Sequence, residues 1–567
     1  MSKYTGIRSS GVALVLLAMA FLLVVGQAGA VERKPVSVSM IHPVQGGLSG
    51  TDAGVLPAAT RAVTVPRLTP AGAESYGAMK DEASYAPASG NAELLPVPAG
   101  PEPLTSDVAT SFVGLDRPGA ANNGIIFFPP DTIVAKSTTK VLEAVNSAVR
   151  MFSTVGAVAQ TKDLNTFFGA STANGILFDP KVYYDRNAAN RRFYVVALQQ
   201  KSDPKVSRIW LAVSRSADPT NLDAANWCRY NLEGKRNIST ADESWADYPG
   251  LGAGADALMI TANQFTFSAE NFTYAVIRVL NKTTLSNNAA ACPSVPIFTF
   301  QASGTKGDGT AFTLQPAQHY SSPSSFTSTT NPAYLVSTVF GTSNIYRVWQ
   351  IRNVAGGSPT LRSLNLTGAF TYSVQPNAAQ SGSATLLDTG DNRMMQVAGI
   401  GNSLFAVHGT GCNFAGGAPE SCARFVKITV GQAAGGALTA SLAKQNTFGG
   451  GPGAFYFWPG IAANNRLQVV VPFHRSSASS FLSSYWTMKD DAAATFESAS
   501  RNTVGTCAQT LSGRTGDYIG AQTDPSDFTS FWVAGERATT LVGACQWQTQ
   551  IQKIVPGELL PLPIAPD

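Results

Sequence analysis

From Phe112 onward the chain reads as short apolar runs separated by Gly, Pro, Asn and Asp, as in RRFYVVALQQ, RIWLAVSRS and LQVVVPF. Runs of this length, rich in Val, Ile and aromatics and partly alternating, predict strands. No amphipathic stretch of helical period stands out, so the body is expected to be all-β. Upstream, from Val31 to about Thr105, Pro, Ala, Gly and Ser dominate and neither a period of 2 nor one of 3.6 persists; LLPVPAGPEPL is typical. That composition predicts a disordered leader, because too little apolar surface is on offer to offset the entropy of ordering it.

Aligning the runs exposes a repeat. YPGLGAGADALMITANQF from Tyr248, VAGIGNSLFAVHGTGC from Val397, WPGIAANNRLQVVVPFHRS from Trp458 and YIGAQTDPSDFTSFWVAGER from Tyr518 share a bulky residue, a nearby Gly, a polar turn and a buried strand. A period of about 50 to 80 residues fits a four-stranded propeller blade with variable loops better than the strand spacing of a sandwich. Dividing the sequence on this basis gives a seven-bladed β-propeller, with six blades as the alternative, each blade burying its faces against its neighbours. The last blade, 515–555, shows only DYIGAQTD, SFWVAGERA and CQWQTQIQKI; GIIFF at 124–128 is expected to supply its fourth strand and close the ring. The expected organisation is a signal peptide over 1–30, a leader over 31–108, the propeller over 109–556 and a tail over 557–567.

The ends and the cysteines set the compartment. Lys3 and Arg8 precede an apolar run from Val12 to Val25 and then Ala28-Gly29-Ala30, the form of a cleaved secretory signal. The run is shorter than the ~20 residues of a spanning helix, and no later stretch reaches that length. The product is expected to be secreted, extracellular or periplasmic, with no membrane span after cleavage. Cys228, Cys292, Cys412, Cys422, Cys507 and Cys545 suit that oxidising destination. Six cysteines allow fifteen pairings, and order along the chain favours 228 with 292, 412 with 422 and 507 with 545. Without CxxC pairs, and with His scarce, a Cys/His zinc site is disfavoured.

Charged residues make up 13% of the chain and the net charge is only +4. With no Lys/Arg run to track phosphates, nucleic acid is excluded as a partner. The surface must be hydroxyl- and amide-rich, which suits a glycan or a surface protein as partner and a monomeric chain.

In a propeller the entrance to each innermost strand and the exit of the second strand share one face. Asp131 (PPDTIV), Asp179 (FDPKV), Asp247 (ADYPGL) and Asp517 (TGDYIG) sit at such entrances, with Arg393 (DNRMMQV) in the fifth blade. Asn263, His408, His474, Glu536 and Arg537 sit at second-strand exits. Convergent carboxylates would hold Ca²⁺ or sugar hydroxyls, and would raise one another's proton affinity, so that one could act as a general acid. The competing reading is that each Asp only accepts hydrogen bonds within its own turn. His408 and His474 offer a base or metal-ligand pair, or are strand-end residues; His319-Tyr320 resembles a lyase pair by fold-level analogy only. No G-x-S-x-G elbow and no phosphate loop is present.

The motifs PPDT at 129–132, FDPKVYYD at 178–185, AVSRSADPT at 212–220 and DYPGLG at 247–252 occur in the order found in a family of secreted bacterial β-propeller proteins, distantly like the sialidase propellers, which this sequence resembles over 129–265. The resemblance implies architecture and little chemistry. It departs from the family where IVAKSTTK at 133–140 replaces an expected GAVGPNH. No S-x-D-x-G-x-x-W box is found, which speaks against retaining sialidase chemistry. The functional expectation is a binding or interaction module for glycan or surface protein, the alternative being a polysaccharide lyase or glycosidase using the funnel carboxylates or histidines.

Overall fold

Arg192–Lys201 and Val206–Ser214 are buried on both faces over nearly their whole length, a state a strand reaches only when other layers cover it from both sides. Outer strands behave differently: Val158–Asp163 is exposed or half-buried throughout, and Thr360–Tyr372 alternates buried and exposed positions. Burial thus falls from one end of each sheet to the other. The arrangement is seen in a computed structural model that describes residues 32–44, 61–64, 68–70, 72–84, 92–97, 106–120, 125–187, 190–302, 311–320, 332–414, 417–433 and 437–557.

The chain is mostly β, as expected. Successive antiparallel meanders begin with Ile133–Lys136, Leu177–Asp185, Ser244–Ala253, Gln315–His319, Met394–Ile400, the broken pair Ala454–Phe457 and Ala462–Ala463, and Gly520–Thr523. Each of these first strands touches the first strand of the next meander, and Gly520–Thr523 returns to touch Ile133–Lys136. Two of the junctions, third to fourth and fourth to fifth, are close enough to form parallel hydrogen-bonded pairs. Side chains stitch neighbouring sheets: Lys136 meets Asp524 at 2.6 Å between first and last, and Lys282 meets Asp185 at 2.7 Å between third and second.

The strand that completes the last meander corrects the expectation. It is Asp107–Asp116, antiparallel to Ala544–Val555 with Ile551 opposite Phe112. Ile125–Phe128 instead pairs in parallel with Arg61–Thr64. DVATSFVGLD is a ten-residue strand that pairs along Gln548–Val555, whereas IIFF is a four-residue run. The buried Glu143 carboxylate locks this closure, accepting from Leu115 N at 2.7 Å, Thr549 Oγ1 at 2.5 Å and Thr132 Oγ1 at 3.1 Å.

The leader is also corrected over its described parts. Ser37–Ile41 forms an outer strand on Val295–Ala302, and Glu93–Leu94 runs parallel to the end of Leu438–Gly449. Gly72–Ala83 is a helix, an element absent from the expectation. These pieces pair with outer strands of the meanders, a long-range contact that composition does not register. The expected signal peptide, and all but the first residue of the tail, lie outside the described residues. Among the described residues no helix is long and apolar enough to cross a membrane.

The disulfides join Cys228 to Cys292, Cys412 to Cys422 and Cys507 to Cys545, and no described cysteine is free. Cys412–Cys422 clips a hairpin of the fifth meander, while the other two bridge consecutive meanders and so restrain the unfolded chain over longer loops.

A Cβ built on Gly114 would lie within 2.7 Å of both Glu143 carboxylate oxygens. Gly114→Ala is therefore expected to destabilise the ring closure by about 1–3 kcal/mol, read as a lowered Tm; an unchanged Tm would show that the closing strand is dispensable.

Candidate functional site

The first strands enter the axis through a repeated backbone corner. Asp131, Asp179, Tyr248, Thr313 and Trp458 all have φ between 51° and 53°, the left-handed region that costs a non-Gly residue on the order of 1 kcal/mol or more. The shared feature is thus the backbone, filled by Asp, Tyr, Thr or Trp. This corrects the equivalence expected from sequence: Asp247 stands one residue ahead of the corner, and the last meander has no left-handed residue beside Asp517. Asp131 and Asp179 occupy the corner itself.

The four carboxyls nevertheless come together. Asp131 accepts from the backbone N–H of Asp517 at 2.5 Å and from Asn146 Nδ2 at 2.8 Å. Asn146 Oδ1 in turn accepts from the Asp179 N–H at 2.6 Å, tying the first two corners to each other. Asp517 accepts from Arg514 Nη2 at 3.0 and 3.1 Å, and Arg514 Nη1 reaches Asp388 at 3.2 Å. All four carboxyls are buried.

Burial dominates the electrostatics. It pushes Asp131 and Asp179 well above the usual carboxyl range, with neighbouring Asp517 and, respectively, Asp179 and Asp247 adding to the effect. Burial also raises Asp247 to about 7, against the opposing pull of Arg393. Glu536, fully enclosed with one oxygen accepting from Gly516 N at 2.5 Å and the other without a partner, is raised to about 8 by burial, with Asp131 and Asp517 adding to it. In the same cluster burial lowers Lys181 to about 7, although Asp179, Asp131 and Asp517 favour its charged form.

Aromatic rings frame these groups. Lys181 Nζ lies 2.9 Å from the Tyr518 ring centroid and 5.5 Å from that of Tyr248. The Arg393 guanidinium sits 4.5 Å from Tyr248 and 4.8 Å from Phe312, and is held by Asp391 at 2.6 and 2.8 Å. Tyr248 donates to the Asp517 carbonyl at 3.0 Å and Tyr518 to that of Pro180 at 2.8 Å. Lys181 and Tyr518 also line a small axial space of about 20 Å³, together with Leu251, Gln315, Met395 and Pro459. This grouping of two hydrogen-bonding tyrosines, an amine and several protonated carboxyls can both donate to and accept from a polar, uncharged ligand.

The remaining expected residues are placed elsewhere. His408 is buried between the fourth and fifth meanders, its Nε2 3.1 Å from the Tyr346 hydroxyl and its Nδ1 2.8 Å from the Gly409 carbonyl; burial lowers it to about 3. His474 is equally enclosed, lowered by burial to about 3, and its Nε2 accepts from the Glu536 backbone N–H at 3.4 Å. The two histidines therefore form no catalytic or metal-binding pair. Asn263 joins the third and fourth meanders through Thr313, and Arg537 donates to Gln548 at 2.6 Å. His319 bonds the Gly401 carbonyl at 2.8 Å, at the far end of its strand from the corner. Among the described residues no three His, Cys, Asp or Glu side chains are grouped to hold a metal ion; Lys181, Arg393 and Arg514 lie among these carboxyls.

Sequence reading missed Lys181, Arg514, Asn146, Asp388 and Asp391. Lys181 follows Asp179-Pro180 directly, so it was within reach of the strand pattern that marked Asp179. Arg514 and Asn146 lie in turns with no periodic signal.

No protein-family model matches the sequence, and no curated protein does. Among solved structures, the α-L-arabinofuranosidase of Fusarium graminearum is similar at 10% identity and TM-score 0.34, covering 78% of this chain and 97% of its own. An α-L-arabinanase of Penicillium chrysogenum aligns at 10% identity and TM-score 0.33 over 78% and 98%. The sialidase of Trypanosoma rangeli aligns at 9% identity and TM-score 0.30 over 74% and 59%. Overlap this loose transfers no site chemistry, and none is taken from it.

Glu536 yields a pH test. Its raised proton affinity means the folded chain holds this proton between about pH 4.5 and 8 while the unfolded chain releases it. Its contribution to stability is therefore full below about 4.5 and lost as pH rises through 8. Glu536→Gln is expected to weaken the fall in Tm between pH 5 and 9 relative to the wild type; parallel curves would show that the carboxyl is not held protonated.

Proposed function

We propose that this chain is an exported seven-bladed β-propeller, acting as a monomer, that binds a glycan at the axial mouth formed by Asp131, Asp179, Asp247, Asp517, Lys181, Tyr248 and Tyr518. The observation that carries this reading is the convergence of carboxyls from the first, second, third and last meanders around one amine and two tyrosine rings, of which Lys181 and Tyr518 also face a small axial space. Sugars present hydroxyls that donate and accept, with apolar ring faces between them. Carboxyls protonated by burial match the hydroxyls without the cost of a buried unpaired charge, and tyrosine faces match the rings. The seven first strands that touch in a cycle support the blade count, and the three disulfides support export.

One observation favours a second reading, in which the chain cleaves a polysaccharide. Asp247 and Glu536 hold protons near neutral pH, while Asp517 is paired with Arg514. A protonated and a charge-paired carboxyl in one site are the parts required of a general acid and its partner.

A glycan array on the purified chain, followed by titration of retained oligosaccharides, tests both readings. Retention of neutral or amine-bearing oligosaccharides is expected, with Asp247→Asn and Asp517→Asn weakening it about tenfold, or 1.4 kcal/mol. Release of shortened or unsaturated products, abolished in the same variants with the fold intact, would favour the enzyme. Retention of no sugar, or retention indifferent to both substitutions, would sink the glycan reading.

A further inference from the structure

Two stretches before the ring closure land on the rim of the axial cluster. Leu68 and Thr69 are buried, and the Leu68 carbonyl accepts from Arg393 Nη2 at 3.0 Å. This is the guanidinium that packs on Tyr248 and acts on Asp247. Twelve residues on, at the end of the helix Gly72–Ala83, the buried Lys80 ammonium donates to the carbonyls of Gln375 and Gly390 at 2.7 and 2.6 Å and to Thr389 Oγ1 at 2.9 Å. It also lies 3.9 Å from Asp388. Asp388 is the carboxylate that receives Arg514, whose other nitrogen holds Asp517. The Leu68 anchor is thus one charged partner, Arg393, from Asp247, and the Lys80 anchor two, Asp388 and Arg514, from Asp517.

Leu68 also joins the apolar core shared by the second and third meanders, so the anchor that stands apart from ring packing is Lys80. The seven meanders close through Asp107–Asp116, downstream of these stretches. A lysine amine set among three acceptors is a specific, charge-assisted attachment in place of an apolar seal. We propose that residues 68–70 and 72–84 are an intramolecular stopper, held by Lys80 and Leu68, that closes the axial mouth and must withdraw before an external ligand reaches the carboxyl cluster. The inference deepens the binding reading given above and rests on it for what the ligand is. A tethered segment competes at an effective concentration in the millimolar range, so loss of one charge-assisted anchor should open the mouth about tenfold more often.

Lys181 reports the opening without any sugar. It lies in the axial space, and with an amine lowered to about 7 it is nucleophilic at neutral pH when reached. Reductive methylation of the full chain with formaldehyde and cyanoborohydride at pH 7, followed by peptide mapping, measures that access. Lys136, buried in its pair with Asp524, serves as the control for global unfolding. Lys80→Met is expected to raise the rate at Lys181 about tenfold while Lys136 stays unmodified, and Lys80→Arg to restore much of the protection. Lys181 reacting at the wild-type rate in a folded Lys80→Met chain overturns the stopper. Should that variant not fold, the wild type in sub-denaturing urea decides. Hydrogen exchange over 76–84 and methylation of Lys181 must then rise together, ahead of Lys136, and methylation of Lys181 while 76–84 stay protected overturns the proposal. Because no glycan enters these measurements, an opened mouth that still retains no sugar would count against the glycan reading and leave the stopper standing.

Discussion

Everything in this molecule depends on how closely the first strands of consecutive meanders approach one another. A Cβ on Gly252 would lie 2.6 Å from the Ala317 carbonyl, and one on Gly520 2.6 Å from the Val134 amide. The backbones are near enough that two junctions become hydrogen-bonded parallel pairs. Such crowding leaves no room for a Cβ at Gly252 and Gly520, and a left-handed corner recurs at the entry of five first strands, at Asp131, Asp179, Tyr248, Thr313 and Trp458. The crowding also brings side chains from distant parts of the sequence within a few ångströms of each other, as Asp131 and Asp517 are.

That convergence has an electrostatic consequence. Several carboxyls enter a volume from which water is largely excluded, and burial opposes their ionisation. The fold answers in two ways. Asp131, Asp179, Asp247 and Glu536 keep their protons more tightly than exposed carboxyls do. Asp517 and Asp391 keep guanidinium partners in Arg514 and Arg393. Because the members belong to different meanders, the cluster exists only while the ring is closed, and the closure itself turns on another buried carboxylate, Glu143. Site and closure are therefore coupled through the same geometry. The N-terminal stretches extend this coupling, since Lys80 and Leu68 attach to the charged rim that steadies the acids.

Much of the strand content was legible because a strand flanked by sheets is a continuous apolar run bounded by turn residues, as in RFYVVALQQK. The order of disulfides along the chain was legible for a related reason: consecutive meanders are neighbours, so cysteines close in sequence meet. Two errors have a common cause. IIFF looked like the closing strand, and Asp247 looked equivalent to Asp131, since both judgements compared local strings. DVATSFVGLD is the closing strand because it pairs along Gln548–Val555, and Tyr248 is the counterpart of Asp131 because it holds a φ within 2° of it. His408 and His474 drew notice as rare residues, but their burial and backbone partners make them interior supports.

By itself the sequence determined the mostly β character, the cysteine order and the candidates Asp131, Asp179, Asp247 and Asp517, because hydrophobic period, covalent spacing and turn chemistry are properties of neighbours along the chain. Only the tertiary structure decided that Lys181 and Arg514 join those acids and Arg393, that Asp107–Asp116 closes the ring, and that the stretch around Lys80 sits on the rim. Each of these depends on which residues are excluded from water together, and that is set by packing between segments hundreds of residues apart, as for Lys80 and Gly390.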